Sequence, residues 1–181
     1  SFWLAMKEVA YFVMARLSVS EQQAMNLVVR DGAKCYILGQ SRTEKIVDYV
    51  PPVGTVLPVY ASACGKILLS ELPDKILGGI LDLTEMKRMT PYTITDRNKF
   101  SEELCRVRER GYALDAHESQ EEGFCIAVPV RAKTGEIISA LSFSGFIGQK
   151  TVDEIDYYVN LLKKASAEIT VQLFQLKPRM D

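Results

Sequence analysis

The chain has 181 residues, 48% of them hydrophobic and 25% charged, a composition that fits an ordinary globular protein with one core. Its 22 Lys+Arg balance 23 Asp+Glu, so no basic excess exists to neutralise phosphates, and nucleic-acid binding by this stretch alone is disfavoured. Four cysteines with no Cys-x-x-Cys spacing and a single histidine, His117, lack the ligand set of a structural zinc site, imply no cofactor and fit reduced thiols in the cytoplasm; no run is long and apolar enough to span a membrane.

The opening segment SFWLAMKEVAYFVMARLS reads as a helix, apolar on nearly every side, with only Lys7, Glu8 and Arg16 charged in its middle. A surface helix shows one apolar stripe. This one is expected either between layers of its own domain or, the preferred reading because the pattern starts without a cap, against another subunit or an upstream segment. AMNLVVRDGAKCYILGQ then gives two extended runs around Asp31-Gly32, a hairpin signal. KIVDYVPPVGTVLPVY mixes short extended pieces with Pro51, Pro52, Gly54 and Pro58, and is expected along a sheet edge or over a pocket.

YASACGKILLSELP places Ser62 as an N-cap, Ile67, Leu68, Leu69 and Leu72 as a buried stripe, and Pro73 as the stop or the start of the next helix. DKILGGILDL is a weaker helix because of Gly78 and Gly79. In TITDRNKFSEELCRVRERGY, Thr95 or Asp96 caps a helix whose Phe100, Leu104 and Val107 share a face and which ends at Gly111. CIAVPVRAKTGEIISALSFS gives two strands around an Ala132–Gly135 turn. The last helix opens on a Thr151/Glu154 capping box and carries Val152, Ile155, Val159, Leu162, Ile169 and Leu173 on one face. The mixture is α+β around a mainly antiparallel sheet, in a single domain over residues 1–181.

If the four-residue turn pairs Arg131 with Glu136, Cys125 lies opposite Ser142 and Ala127 opposite Ala140. One face then carries Ile126, Val128, Val130, Ile137, Leu141 and Phe143; the other carries Cys125, Ala127, Ala140, Ser142 and Ser144, all small. A small-residue face serves either a closely packed helix or a cavity. The second cluster of small residues, Ala61 to Gly65 at a helix head, favours the cavity, because unpaired N–H groups and the helix dipole there suit an anion. A carboxylate is expected on the amides near Ala63 and Cys64, with Ser142, Ser144 and Asp115 holding its polar remainder. The blander reading of Asp115 is a solvated loop acid beside His117 and Glu118, and a metal on those three residues has no diagnostic spacing.

YASACGKILL, YTITDRNKFSEELCRVRERGYALDAHE and GFCIAVPVRAKTGEIISALSFSG resemble, in order and spacing, the effector-binding domain of IclR-type bacterial transcriptional regulators, over about Met25 to Leu173. The resemblance implies a GAF-like fold and a small organic acid (keto, hydroxy or sugar acid) as effector. It implies a homodimer or homotetramer, with residues 1–18 as linker and dimerisation helix and 24–176 as ligand-binding core. DNA would be bound only through a winged helix-turn-helix domain absent from this sequence. It also implies a pocket of backbone amides at Ala63 and Cys64, polar Asp115, Cys125, Ser142 and Ser144, and an apolar wall of Ile46, Tyr49 and Leu57. The sequence departs from the family at ESQEEGFC, where Gly123 stands in place of a larger apolar residue and either enlarges the cavity or removes a contact.

The leading expectation is therefore a sensor without catalysis, in which ligand shifts the population of two subunit arrangements. The rival is a thiol-dependent reductase in which Cys64 and Cys125 converge and Cys64, near a helix N-terminus, has a lowered pKa. A purely oligomerising module is the third reading. No Gly-x-Ser-x-Gly or phosphate loop is present, and His117 has no evident nucleophile partner.

Overall fold

A computed structural model describes residues 1–44 and 50–175. The first helix, α1 (Phe2–Glu21), does have a cap: the Ser1 hydroxyl accepts the Leu4 amide hydrogen. Strands β1 (Ala24–Asp31) and β2 (Lys34–Ser41) pair antiparallel, with Asp31 opposite Lys34, so the turn centres on Gly32-Ala33, one residue later than the Asp-Gly signal. The proline-rich stretch contributes β3 (Val56–Leu57), a two-residue edge strand, as proline's missing N–H dictates. Then come α2 (Ala63–Leu69), capped by Ser62, α3 (Asp74–Asp82), and α4 (Arg97–Arg110), capped by Asp96 and ended by Gly111 at φ 79. Strands β4 (Ala113–Ala116), β5 (Gly123–Arg131) and β6 (Ile137–Ile147) precede α5 (Val152–Gln175), whose Thr151/Glu154 capping box forms in both directions.

The strands make one six-stranded antiparallel sheet in the order β3-β2-β1-β6-β5-β4. Both faces are covered. Helices α1 and α5 pack on one, through Met6, Val13 and Leu162 against Leu27, Ile126, Leu141 and Phe143. Helix α2, backed by α4, covers part of the other, through Ile67, Phe100 and Leu104 against Val28, Ile37, Ala127 and Ala140. Helix α1 serves its own core with Met6, Val9, Ala10, Val13 and Met14, yet leaves Phe2, Trp3, Leu4, Tyr11, Phe12 and Val19 exposed. Of the α5 face, Val152 is the exception: it is 73% exposed at the first turn, outside the layer that Val159, Leu162, Ile169 and Leu173 fill.

The β5/β6 register differs from the sequence expectation. Arg131 faces Ile137 rather than Glu136, Ala127 faces Ser142, and Ala140 faces Pro129. Two causes add up. The Ala132 N–H reaches the Glu136 carbonyl at 2.8 Å, closing a loop one residue longer than expected, and a bulge beside Val130 leaves Ile138 unmatched. A slip of two residues preserves the face of the side chains from Ser139 to Ser144, so the small row stays where it was expected although its partners move. Ile137, before the bulge, does change face and joins the α2 core.

A second bulge lies at the other end of the hairpin, where Phe124 faces Phe146 and Ile126 faces Phe143. The extra residue includes Gly145 at φ 80, a conformation that favours glycine. It lets Phe143 and Phe146 both reach the α5 layer while Ser144 between them turns to the opposite side.

Candidate functional site

The small-residue row of the hairpin divides in two. Ala127 and Ala140 lie fully buried in the α2 core, whereas Cys125, Ser142 and Ser144 open on a cavity of about 230 Å³. Close packing and a hollow, alternatives at the level of sequence, hold at successive positions.

Leu57, Ala63, Cys64, Asp115, Cys125, Ser142 and Ser144 all line this cavity. Ile46 and Tyr49 lie outside the described residues. The head of α2 is small for two reasons. A Cβ on Gly65 would sit 2.5 Å from the Val59 carbonyl oxygen, so the chain folds back tightly there. Beyond it, Ser62 Oγ accepts the Gly65 amide hydrogen and its carbonyl accepts that of Lys66, while the amides of Ala63 and Cys64 find no acceptor among the described residues. At seven residues α2 carries little macrodipole, so any preference for an anion rests on these donors rather than on the helix.

Asp115 corrects the bland reading. It is not a solvated loop acid but a β4 residue, 4% exposed, paired across the ladder with Cys125. Its Oδ1 accepts the amide hydrogens of Glu118 (2.8 Å) and Ser119 (3.2 Å), and its Oδ2 accepts the Ser119 hydroxyl. Burial pushes its pKa up, against the pull of those hydrogen bonds. Asp115 therefore shapes the 117–119 turn as well as facing the cavity.

That turn is held from every side. Lys66, fully buried on α2, places Nζ 2.8 Å from Glu118 Oε1, 2.9 Å from Oε2 and 2.8 Å from the Leu114 carbonyl oxygen. Thr90 and Thr93 donate their hydroxyls to the carbonyls of His117 and Glu118, each at 2.6 Å. His117 sits at φ 63 with its ring against Tyr92 and Phe124. Asp115, His117 and Glu118 are thus engaged separately, and no group of three metal-ligating side chains converges among the described residues.

The lowered thiol pKa expected for Cys64 is also overturned. Burial pushes both Cys64 and Cys125 up to about 12, so each is a neutral thiol at physiological pH. Sequence reasoning missed several wall residues: Asn26 on β1, Met89, Ser119 and Gln120. Asn26 had a signal, being the one polar residue inside the apolar run AMNLVV. Gly123 also lines the cavity; the atoms nearest an added Cβ there belong to Gln120, from 3.5 Å, an ordinary contact, so a side chain at this position would join the wall beside Gln120.

Residues 4–171 match the model of the family described as bacterial transcriptional regulator IclR C-terminal. The chain belongs to this IclR C-terminal family. It is 32% identical over 168 residues to the HTH-type transcriptional repressor AllR of Klebsiella pneumoniae, an alignment covering 93% of this chain and 61% of that protein. The chain thus spans about 60% of the length of the curated IclR-type relatives it matches. Among solved structures it resembles the C-terminal domain of Escherichia coli KdgR, with a TM-score of 0.85, 29% identity, and coverage of 93% of this chain and 98% of that one. It also resembles a double mutant of the PobR inducer-binding domain from Acinetobacter, in complex with 3-hydroxybenzoic acid, with a TM-score of 0.82, 30% identity, and coverage of 91% and 97%. The α+β, GAF-like fold is that of the IclR C-terminal neighbours.

Proposed function

We propose that this chain is the effector-sensing part of a cytoplasmic transcriptional regulator, that it binds a small keto, hydroxy or sugar acid in the cavity, and that it has no catalytic role. The observation that carries the reading is the lining itself: Ala63 and Cys64, whose amides find no acceptor among the described residues, and Ser142 and Ser144, with buried hydroxyls, border one hollow of about 230 Å³. Such a hollow, with few and convergent polar groups, suits a small ligand. The acid's carboxylate takes the amides and the hydroxyl of Ser142, which adjoins Cys64, its hydroxyl or keto oxygen lies towards Ser144 and Asp115, and Leu57 supplies apolar wall; Ile46 and Tyr49 belong to the same proposed site. The PobR complex with 3-hydroxybenzoic acid supports an organic acid as the ligand class.

Ligand changes operator affinity in this reading through the arrangement of subunits and a DNA-binding domain outside residues 1–181. The exposed Phe2, Trp3, Tyr11 and Phe12 on α1 support a homodimer or homotetramer joined through that helix. The thiol reductase alternative loses support from the high pKa of Cys64 and Cys125.

A thermal-shift screen of small carboxylic acids tests the reading. Stabilisation of about 2.7 kcal/mol is expected at a hundredfold excess over Kd, with a smaller shift in Ser142→Ala. Equal shifts in the wild type and Ser142→Ala, or no shift with any acid, would overturn it.

A further inference from the structure

Behind the serine wall of the cavity runs a chain of polar side chains that the effector reading leaves unused. Asn26 lies on β1 opposite Ser142, and its Nδ2 donates to Ser144 Oγ at 3.2 Å. Its Oδ1 accepts from Gln40 Nε2 at 2.8 Å. Gln40 in turn accepts at Oε1 from Arg42 Nε, at 2.6 Å, and donates a second Nε2 hydrogen to the Pro51 carbonyl, at 2.7 Å. Arg42 Nη2 is fixed on the Val50 carbonyl at 2.5 Å.

Gln40 reaches this position only because β2 carries an extra residue. Leu27 faces Gly39 and Val28 faces Ile37, leaving Leu38 unmatched. The bulge turns Gly39 towards α1, where a Cβ would meet Lys7 and Met14, and brings Gln40 to the cavity side beside Asn26. Bulges next to a site commonly re-aim a side chain in this way.

The direction of every bond in the chain is determined. A guanidinium only donates and a carbonyl only accepts, so Gln40 must present Oε1 to Arg42 and Nε2 to Pro51 and Asn26. Asn26 must then present Oδ1 to Gln40 and Nδ2 to Ser144. Ser144 Oγ and Ser142 Oγ are 2.9 Å apart and share one hydrogen. Two hydroxyls carry two hydrogens; one is used between them and Asn26 occupies a Ser144 lone pair, so one hydroxyl hydrogen is left over for the cavity. Ser142 also neighbours the Cys64 sulfur and Ser144 the Cys125 sulfur, both weak acceptors that compete little for that hydrogen. Because Cys64 adjoins Ser142, this hydrogen belongs to the same part of the cavity lining as Ala63 and Cys64, whose amides are open.

We propose that Arg42, Gln40 and Asn26 form a polarised relay that fixes the Ser142/Ser144 pair as a hydrogen donor, so that the cavity selects a carboxylate over the corresponding neutral amide. Arg42 and Gln40 are positioning residues behind the wall, acting through Asn26. The inference rests on the reading of the cavity as an organic-acid site and adds what sets its polarity.

The isosteric Gln40→Glu change tests it. A carboxylate at position 40 only accepts, so Asn26 turns its amide nitrogen to that new carboxylate and its oxygen to Ser144, and the leftover hydroxyl hydrogen is withdrawn from the cavity. Titration calorimetry would use pyruvate, gluconate and 3-hydroxybenzoate, each against its primary amide. Wild type is expected to favour the best-bound acid over its amide by about tenfold or more, the scale of one charge-assisted hydrogen bond. Gln40→Glu is expected to bring that ratio to about one or below, and Arg42→Met, at an exposed position that leaves the fold intact, to lower it in the same direction. An unchanged ratio in both folded variants, while wild type binds acids, overturns the relay and leaves the effector reading standing; failure of wild type to bind any of the acids overturns both.

Discussion

Lys66 and Glu118 meet inside the protein, the ammonium nitrogen 2.8 Å from one carboxylate oxygen and 2.9 Å from the other, and join α2 to the turn after β4. Glu103 of α4 stands 3.7 Å from the same nitrogen. Removing one partner of such a pair strands a buried charge, whereas removing both can be nearly neutral. Lys66→Met is expected to destabilise by about 3–5 kcal/mol, and Lys66→Met combined with Glu118→Leu to recover most of that loss. Urea unfolding of the two variants measures the difference.

Two glycines should respond to alanine with opposite signs. A Cβ at Gly65 would lie 2.5 Å from the Val59 carbonyl oxygen and 2.6 Å from Val59 Cα, both backbone atoms, so Gly65→Ala must displace the 58–62 turn. A loss of about 1–3 kcal/mol or more follows. At Gly79, within α3, nothing lies within 4 Å of the added carbon, and Gly79→Ala is expected to stabilise by about 0.5–1 kcal/mol. Melting temperatures should fall for the first variant and rise for the second.

Arg131 at the end of β5 holds Glu71 beyond α2 with two parallel bonds of 2.9 and 2.6 Å. The hydrogen bond from Arg131 lowers the Glu71 pKa below its ordinary 4.5. A lowered carboxyl pKa contributes stability above the unfolded-state value and loses it as pH falls through the folded-state value. The melting-temperature difference between wild type and Glu71→Gln should therefore be steady from neutrality down to about pH 4.5 and shrink below it. A difference that grows on acidification would contradict the assignment.

Thiol reactivity should follow burial. Cys35 and Cys64 are buried, Cys125 is half-buried against the cavity, and burial pushes all three up to about 12, while Cys105 is exposed on α4. Ellman's reagent at mildly alkaline pH is expected to titrate one thiol quickly in the native protein and the rest only after denaturation. Rapid modification of Cys64 or Cys125, located by mass spectrometry, would revive a thiol chemistry for the cavity.

Much of the site could be read in the sequence because it depends on parity and capping. Cys125, Ser142 and Ser144 share a side by alternation, and Ser62 announces the helix whose first amides stay open. The sequence placed these groups on two elements but had no means to register Lys66, since a lysine four places past an N-cap looks like a solvated end; only the fold shows it wholly buried against Glu118. Asp115 went the same way. Its strand is four residues long, too short for alternation to stand out, and its burial comes from the clamp of Thr90 and Thr93 over the following turn. The hairpin partners differ by two from the expected register because the turn closes one residue later and a bulge adds another at Ile138, neither with a compositional mark.

Along β6, adjacent residues answer to different layers: Leu141 and Phe143 are wedged beneath the two terminal helices, and Ser142 and Ser144 look into the hollow behind them. One backbone thickness is all that separates the interior space from the α1/α5 bracket. Substitutions that enlarge Leu141 or Phe143 would therefore press on the terminal helices and on the serine wall through the same stretch of main chain.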